Sequence, residues 1–328
     1  MNNTPHHINL HSIIPADYAG LRLDQAIAKL FPEHSRARLQ EFIRKKQVQV
    51  NGEFKRPRDK VNGGEEIIID AEIEPEQTWS AQMIALSIIY EDDFLLVINK
   101  PVGLVVHPAV GNRAGTLLNA LLHHAPALST LPRAGIVHRL DKGTSGIMVV
   151  AKTLTAHTSL VKQLQKRVIE REYRAVVCGV MTAGGTIDAP IGRHPTQRIK
   201  MAVIRSGKDA ITHFRVLEKF RAHTYIKVNL ETGRTHQIRV HMAHSHYPLL
   251  GDATYNHRIY LPAGASSELL KELQGFRHQA LHAYRLQLVH PETQETMSWL
   301  APLPEDFMTL LDVLRVDYNA LTETEESS

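Results

Sequence analysis

The chain has 328 residues, 43% hydrophobic and 22% charged. That supports a sizeable core, argues against global disorder and fits two domains at roughly 100–200 residues each. No apolar run nears the roughly 20 residues that span a bilayer, and the start, MNNTPHHINL, lacks the basic-then-apolar order of a signal peptide. A cytoplasmic protein without membrane contact is expected. The single cysteine, Cys178 in the apolar run AVVCGV, excludes an internal disulfide and a Cys-based zinc site, and reads as a small buried hydrophobe.

Net charge is only +4, but it is unevenly spread: residues 20–60 carry eleven Lys/Arg and five Asp/Glu, whereas 61–93 carry no Lys/Arg and nine Asp/Glu. A basic block of this kind suits a polyanion, although a solvated helix face would look the same. Within it, LDQAIAKLF has apolar residues at 23, 26, 27 and 30, the helical period. Ser35 offers an N-cap for RARLQEFIRKK. Val48 and Val50 alternate with polar residues, Asn51-Gly52 signals a tight turn, and IIID reads as a short strand. This helix–helix–strand order resembles the S4 RNA-binding domain. The resemblance implies RNA-phosphate contacts from the second helix and its surroundings: Arg36, Arg38, Arg44, Lys45 and Lys46. Such contacts position a protein on RNA and carry little sequence information.

The acidic stretch from Ala71 to Ser87, with Pro75, reads as a linker. Strand patterns then dominate: IIYEDDFLLVINK, GIMVVAKT, REYRAVVCGV, THFRVLEKF and YIKVNLETG. Helical patterns are fewer: TLLNALLHH, LTAHTSLVKQLQKR, the stretch after Gly233, and EDFMTLLDVLRVDYNAL. The expected fold class is α+β: a mixed, largely antiparallel sheet with flanking helices, preceded by the small S4-like domain. The expected boundaries are 18–75 for the S4-like domain, 76–87 for the linker, 88–318 for the catalytic domain and 319–328 for a disordered tail.

Between Gly135 and Gly146, polar and charged residues separate an apolar run from a strand, with glycines that permit tight turns. Asp141 lies there, flanked by Arg139 and Lys142. Local chemistry leaves two readings open, an Asx-turn aspartate and a functional carboxylate. Twenty histidines invite a metal hypothesis, and His241, His244 and His246 are closely spaced. There is no H-E-x-x-H and no acidic residue within 241–246, so no metal is expected. The glycines of AVGNRAGT and GGTIDAPIG do not match phosphate-loop spacing, and no nucleotide cofactor is expected.

HRLDKGTSG, at 138–146, resembles the signature of the RluA-type pseudouridine synthases, whose essential aspartate sits in HRLD. NKPVGLVVHP, REYRAVV, ETGRTHQIRVHMAH, LLGDATY and ALHAYRLQLVHP follow the family's order, so the likeness spans Leu21 to about Pro304. It implies an isomerase that cuts uridine from C1′, turns the base and rejoins it through C5, with Asp141 as the catalytic carboxylate. A carboxylate can serve as nucleophile at C1′, or as the base that gives a glycal. Either role needs the charged form in a pocket that excludes water, and burial disfavours that form unless a cation faces it. The resemblance gives that task to Arg239, for which a bidentate pair would fix the carboxylate. It also implies that Tyr173 stacks on the flipped uracil, that Ile238 forms an apolar floor, and that Arg139 fills the gap the base leaves. Arg234 and Lys142 are weaker candidates for backbone contacts.

The implied substrate is 23S ribosomal RNA, in the helix 69 stem-loop, or a large-subunit assembly intermediate, acted on by a monomer without cofactor. Two other readings remain: a sister synthase acting on other ribosomal or transfer RNA uridines, and a non-catalytic RNA-binding assembly factor.

Overall fold

The structure, a computed structural model, describes residues 6–32, 34, 36–73, 79–109, 111–197, 199–256 and 258–326. The chain divides into two compact units, Met1–Thr78 and Trp79–Ser328.

In the first unit, β1 (His6–Ile13), α1 (Leu23–Leu30), α2 (Arg36–Arg44), β2 (Val48–Val50) and β3 (Glu66–Ile73) follow in order. The three strands form an antiparallel sheet in the order β1-β3-β2. The helical period of the sequence buries Leu23, Ala26 and Ile27 of α1 and Leu39, Phe42 and Ile43 of α2, together with Val48, Val50, Ile67 and Ile69 of the sheet. Asn51 takes a left-handed φ of 51° in the tight turn that follows β2, a conformation Asn tolerates. The unit starts earlier than the expected boundary at 18, because β1 pairs along the whole length of β3. The proposed Ser35 cap lies outside the described residues.

In the second unit, β4 (Ser87–Glu91), β5 (Leu95–Lys100), α3 (Leu117–His124), β6 (Ser145–Ala151), α4 (Leu154–Gln165), β7 (Glu170–Cys178), β8 (Gly185–Asp188), β9 (Ile191–Arg193), β10 (Met201–Val203), β11 (Ile211–Lys219), β12 (His223–Leu230), α5 (Gln237–His244), α6 (Ser267–Gly275), β13 (Leu281–Val289), β14 (Thr296–Leu300) and α7 (Glu305–Glu326) follow. A nine-stranded sheet runs β4-β5-β6-β13-β7-β12-β11-β8, with β14 also paired to β13. Its pairings are antiparallel except β6 with β13, which gives the mixed, largely antiparallel α+β fold. The strands β5 and β6 are apolar and buried, and α3 and α4 pack their own apolar faces into the same core. Thr153 caps α4 by accepting from the Ala156 amide at 3.1 Å, a contact that typically contributes about 1 kcal/mol.

Three expectations need correction. IIYEDDFLLVINK is a hairpin, because Asp92 accepts from the Phe94 and Leu95 amides and turns the chain. The linker reading does not extend over 79–87. Trp79 and Leu86 pack against the core of the second unit, and Asn119 donates to the Ser80 carbonyl at 2.8 Å. Residues 74–78 of that stretch lie outside the described residues. Helix α7 continues to Glu326, past the expected end at 318. No Pro or Gly follows Pro304, so nothing in the chain stops propagation.

Candidate active site

Asp141 sits on the loop that enters β6, near its partners β5 and β13. The loop is held by its neighbours. The Thr144 amide donates to the Asp141 carbonyl at 3.0 Å, closing a tight turn, and the Gly103 amide donates to the Lys142 carbonyl at 2.8 Å. The Gln279 amide reaches Thr144 Oγ1 at 2.8 Å. Gly146 has φ 112°, and a Cβ there would come within 2.2 Å of the Ala283 carbonyl oxygen, so the strand can approach β13 only with glycine. His138 Nε2 accepts from the Val149 amide at 3.0 Å. Burial pushes that imidazole down to about 3, with Arg171 adding to the effect, so it remains neutral.

Arg239 projects from α5 and bridges two carboxylates. Its Nη1 donates to Asp141 Oδ2 at 3.0 Å. Its Nε and Nη2 donate to the two oxygens of Asp252 at 2.7 and 2.8 Å. The bidentate partner is therefore Asp252, and Asp141 receives a single bond. The Asp252 side chain is fully enclosed, whereas that of Asp141 is 18% exposed. The Asp141 carboxylate thus stays open on one side, and the deeper Asp252 clamps the guanidinium. Burial alone would disfavour the charge on Arg239, but Asp252 and then Asp141 outweigh it and shift its proton affinity upward.

His236 approaches the other oxygen, with Nε2 3.8 Å from Asp141 Oδ1. It precedes α5 in a left-handed conformation, φ 56°, and its Nδ1 lies 2.8 Å from the Tyr255 hydroxyl. The Met201 amide donates to that hydroxyl oxygen at 2.9 Å. The hydroxyl can then donate to Nδ1, which puts the ring proton on Nε2, facing Asp141. Burial pushes His236 down and Asp141 pulls it back up.

Lys100, fully buried at the end of β5, donates through Nζ to the Pro101 carbonyl at 2.7 Å and the Leu104 carbonyl at 3.0 Å. The Lys142 carbonyl lies 3.5 Å away. Burial lowers Lys100 to about 8, against the opposing pull of Asp141. Tyr173 of β7 and Ile238 of α5 are buried in one apolar cluster. Burial raises the Tyr173 hydroxyl; Arg171 opposes the shift and the Asp141 charge adds to it.

Asp141, Arg239, Tyr173 and Ile238 thus belong to one neighbourhood, with Arg139 exposed at its edge, where its charge acts on His236. Arg234 donates through Nε to the Asp209 carbonyl at 2.9 Å, and the Lys142 side chain is exposed. The sequence reading missed Asp252, His236, Tyr255 and Lys100 as site residues. All four lie in stretches that carried the family likeness, but only the fold reveals their convergence. Among the described residues no three His, Cys, Asp or Glu side chains gather as a metal-ligand group. No helix there is long and apolar enough to cross a membrane.

The S4-like unit has its own charged cleft, lined by Arg22, Arg44, Arg56 and Arg58. Its wall is organised by Asp24, whose carboxylate is buried and paired with Arg22 at 3.0 Å and Arg36 at 2.8 Å. Burial raises Asp24, but Arg36, Arg22 and Gln40 outweigh it and hold the carboxyl at about 2. Arg36 is therefore tied to an internal partner, and Lys45 pairs with Glu41 at 3.0 Å. Arg44 lies in the cleft and Lys46 is exposed. Arg22, Arg56 and Arg58 were not singled out, because they lie outside the second helix.

Residues 94–244 match the family model described as RNA pseudouridylate synthase, and residues 21–67 match the S4 domain. The chain belongs to the RNA pseudouridylate synthase family, and it is an enzyme of that class. A relative from Pseudomonas aeruginosa, "Ribosomal large subunit pseudouridine synthase D", is 58% identical over 307 residues, 94% of this chain and 96% of that protein. A protein of the same name from Escherichia coli O157:H7 is 53% identical over 312 residues, 95% and 96% of the two chains. Among solved structures, "Human RNA Pseudouridylate Synthase Domain Containing 4" aligns with TM-score 0.53 and 28% identity, covering 70% of this chain and 93% of that one.

Proposed function

We propose that the protein converts uridines of 23S ribosomal RNA, in the helix 69 stem-loop, to pseudouridine, with Asp141 as the catalytic carboxylate. The observation that carries the reading is the ion pair between Asp141 and Arg239, on a carboxylate that stays partly open. Arg239, locked by Asp252, holds the Asp141 carboxylate in place through their 3.0 Å contact. The target uridine flips out of its stack, at a cost of a few kcal/mol, and Arg139 stacks in the gap. Tyr173 packs against the uracil over the Ile238 floor. Asp141 acts on the sugar, either as nucleophile at C1′ or as base. The C1′–N1 bond breaks, the uracil rotates, the C1′–C5 bond forms, the C5 proton leaves and N1 takes up a proton, so the product is an isomer of the substrate. The conversion is redox-neutral and needs no activated donor. The large-subunit substrate is suggested by the names of the relatives, and the basic S4 cleft supports an RNA partner. A monomer in the cytoplasm fits this reading.

The test replaces Asp141 with Asn, which keeps size and hydrogen bonding but removes the charge. Tritium release from [5-³H]uridine RNA should disappear while RNA binding is retained. Turnover above about one percent of wild type would overturn the role of Asp141, since loss of an essential group costs several powers of ten. Pseudouridine mapping in a deletion strain identifies the target, and intact helix 69 modification there would redirect the substrate assignment.

A further inference from the structure

Away from Asp141, the catalytic unit contains a second cleft of about 320 Å³, within the range of about 300–1,000 Å³ typical of small-ligand pockets. It lies among β7, β12, α6 and the segment around Asp252. Its lining includes His223, at the start of β12, which is 1% exposed. Neither ring nitrogen of His223 has a hydrogen-bond partner among the described residues. Buried polar groups are nearly always paired, so an unpaired imidazole on a cleft wall points to a ligand. Burial pushes His223 down to about 4, which leaves it uncharged near neutral pH, with one donor and one acceptor nitrogen. Phe276 and Tyr260 supply aromatic wall, and the exposed Arg258 and Arg277 complete the lining.

The cleft also has a defined relation to the catalytic site. Gly251 and Ala253 line it, whereas Asp252 between them turns to Arg239. One short segment is thus a wall of both.

We propose that this cleft takes one unpaired nucleotide of the substrate RNA, with the base between the apolar walls, the enclosed His223 ring turning to meet one edge of it, and the phosphate on Arg258 and Arg277. Proteins that read single-stranded RNA combine these elements: an aromatic surface for the base, a neutral polar group for its edge, and guanidinium groups for the backbone. A nucleotide seated behind Asp252 fixes the register of the RNA while the target uridine occupies the Asp141 site. It therefore contributes to choosing which uridine is modified. The inference needs an RNA-modifying enzyme but not a particular role for Asp141. A free mononucleotide shares the same chemistry, so the experiment separates the two sources.

The full-length enzyme is labelled with ¹⁵N-histidine, and the His223 ring signals are assigned with His223→Leu. It is titrated with an rRNA fragment containing the target stem-loop, with 5′-UMP, with 5′-AMP, and with inorganic phosphate. The RNA should shift the His223 signals, and making one nucleotide near the target abasic should abolish that shift while tritium release continues. Arg258→Ser/Arg277→Ser should raise the KM for RNA at least tenfold with kcat unchanged. His223→Leu should raise KM severalfold while unfolding at or above the wild-type temperature, because it removes an unpaired buried group. The proposal fails if no abasic position affects the His223 signals, or if the double arginine variant keeps its KM within twofold. It also fails if mononucleotides saturate the cleft while RNA leaves His223 unmoved, which would make it a free-nucleotide site.

Discussion

Arg239 serves two carboxylates, and its removal should separate their roles. In Arg239→Met the Asp252 carboxylate, fully enclosed, loses its bidentate cation. Among the described residues it keeps the Thr254 and Tyr255 amides, at 3.0 and 3.3 Å. Breaking a buried pair from one side costs about 3–5 kcal/mol, because the remaining charge is stranded. Asp141 is 18% exposed and can be hydrated, so it contributes less to that loss. Asp252→Asn added to Arg239→Met removes the stranded charge while keeping an acceptor for the two amides. The double variant should therefore recover about 2 kcal/mol or more relative to Arg239→Met, a coupling of the size seen for neighbouring groups. Catalysis should not recover, since Asp141 still lacks its cation. Urea unfolding of the catalytic-unit transition measures the first quantity, and single-turnover tritium release measures the second. A double variant no more stable than Arg239→Met would refute the assignment of Asp252 as the clamp. Recovery of activity along with stability would mean that Arg239 acts only on the fold.

His223→Leu should alter the acid limb of stability. The folded-state imidazole titrates near 4 and the unfolded one near 6.5, so between those values the unfolded chain binds the extra proton and wild-type stability falls as pH drops. The 2.5-unit gap corresponds to about 3 kcal/mol at 1.36 kcal/mol per unit, so the advantage of the Leu variant should grow by that amount from pH 6.5 to 4, read from urea midpoints; a parallel pair of curves would contradict it. Arg44→Ala/Arg58→Ala, in the S4-like cleft, should weaken RNA binding and flatten its salt dependence by up to roughly 0.7–0.9 for each phosphate no longer neutralised. An unchanged slope in filter binding would make the cleft a solvated surface. Arg139→Ala should slow single-turnover isomerisation of a base-paired uridine more than that of a loop uridine, and equal loss on both RNAs would place Arg139 elsewhere in the reaction.

Much of the architecture was legible in the chain because local physics was consistent with the fold. The helical period of α1, the Asn51-Gly52 turn and the apolar β5 and β6 strands are short-range signals, and each formed the expected kind of element. Where the signal was weak, the reading failed. The IIYEDDFLLVINK run hides a turn made by one aspartate, and the 79–87 stretch looks like a linker until Trp79 packs against the core. Helix α7 outlasts its apolar pattern, which ends before the tail the sequence reading expected.

The candidate site around Asp141 divides in the same way. HRLD and HQIR are local strings, so Asp141 and Arg239 could be singled out from likeness alone. Their 3.0 Å contact joins residues 98 positions apart, which only the packing of α5 near the start of β6 decides. The same packing turned the arginine's bidentate face to Asp252 rather than Asp141, and brought His236 and Tyr255 to the other side of the carboxylate. In the S4-like unit it tied Arg36 to the buried Asp24 and brought Arg22, Arg56 and Arg58 to the cleft instead. A sequence carries the chemical identity of each side chain and its local period; which charges meet, and which of them lose their water, is a property of the closed tertiary structure, because pairing and desolvation depend on distance in space and not along the chain.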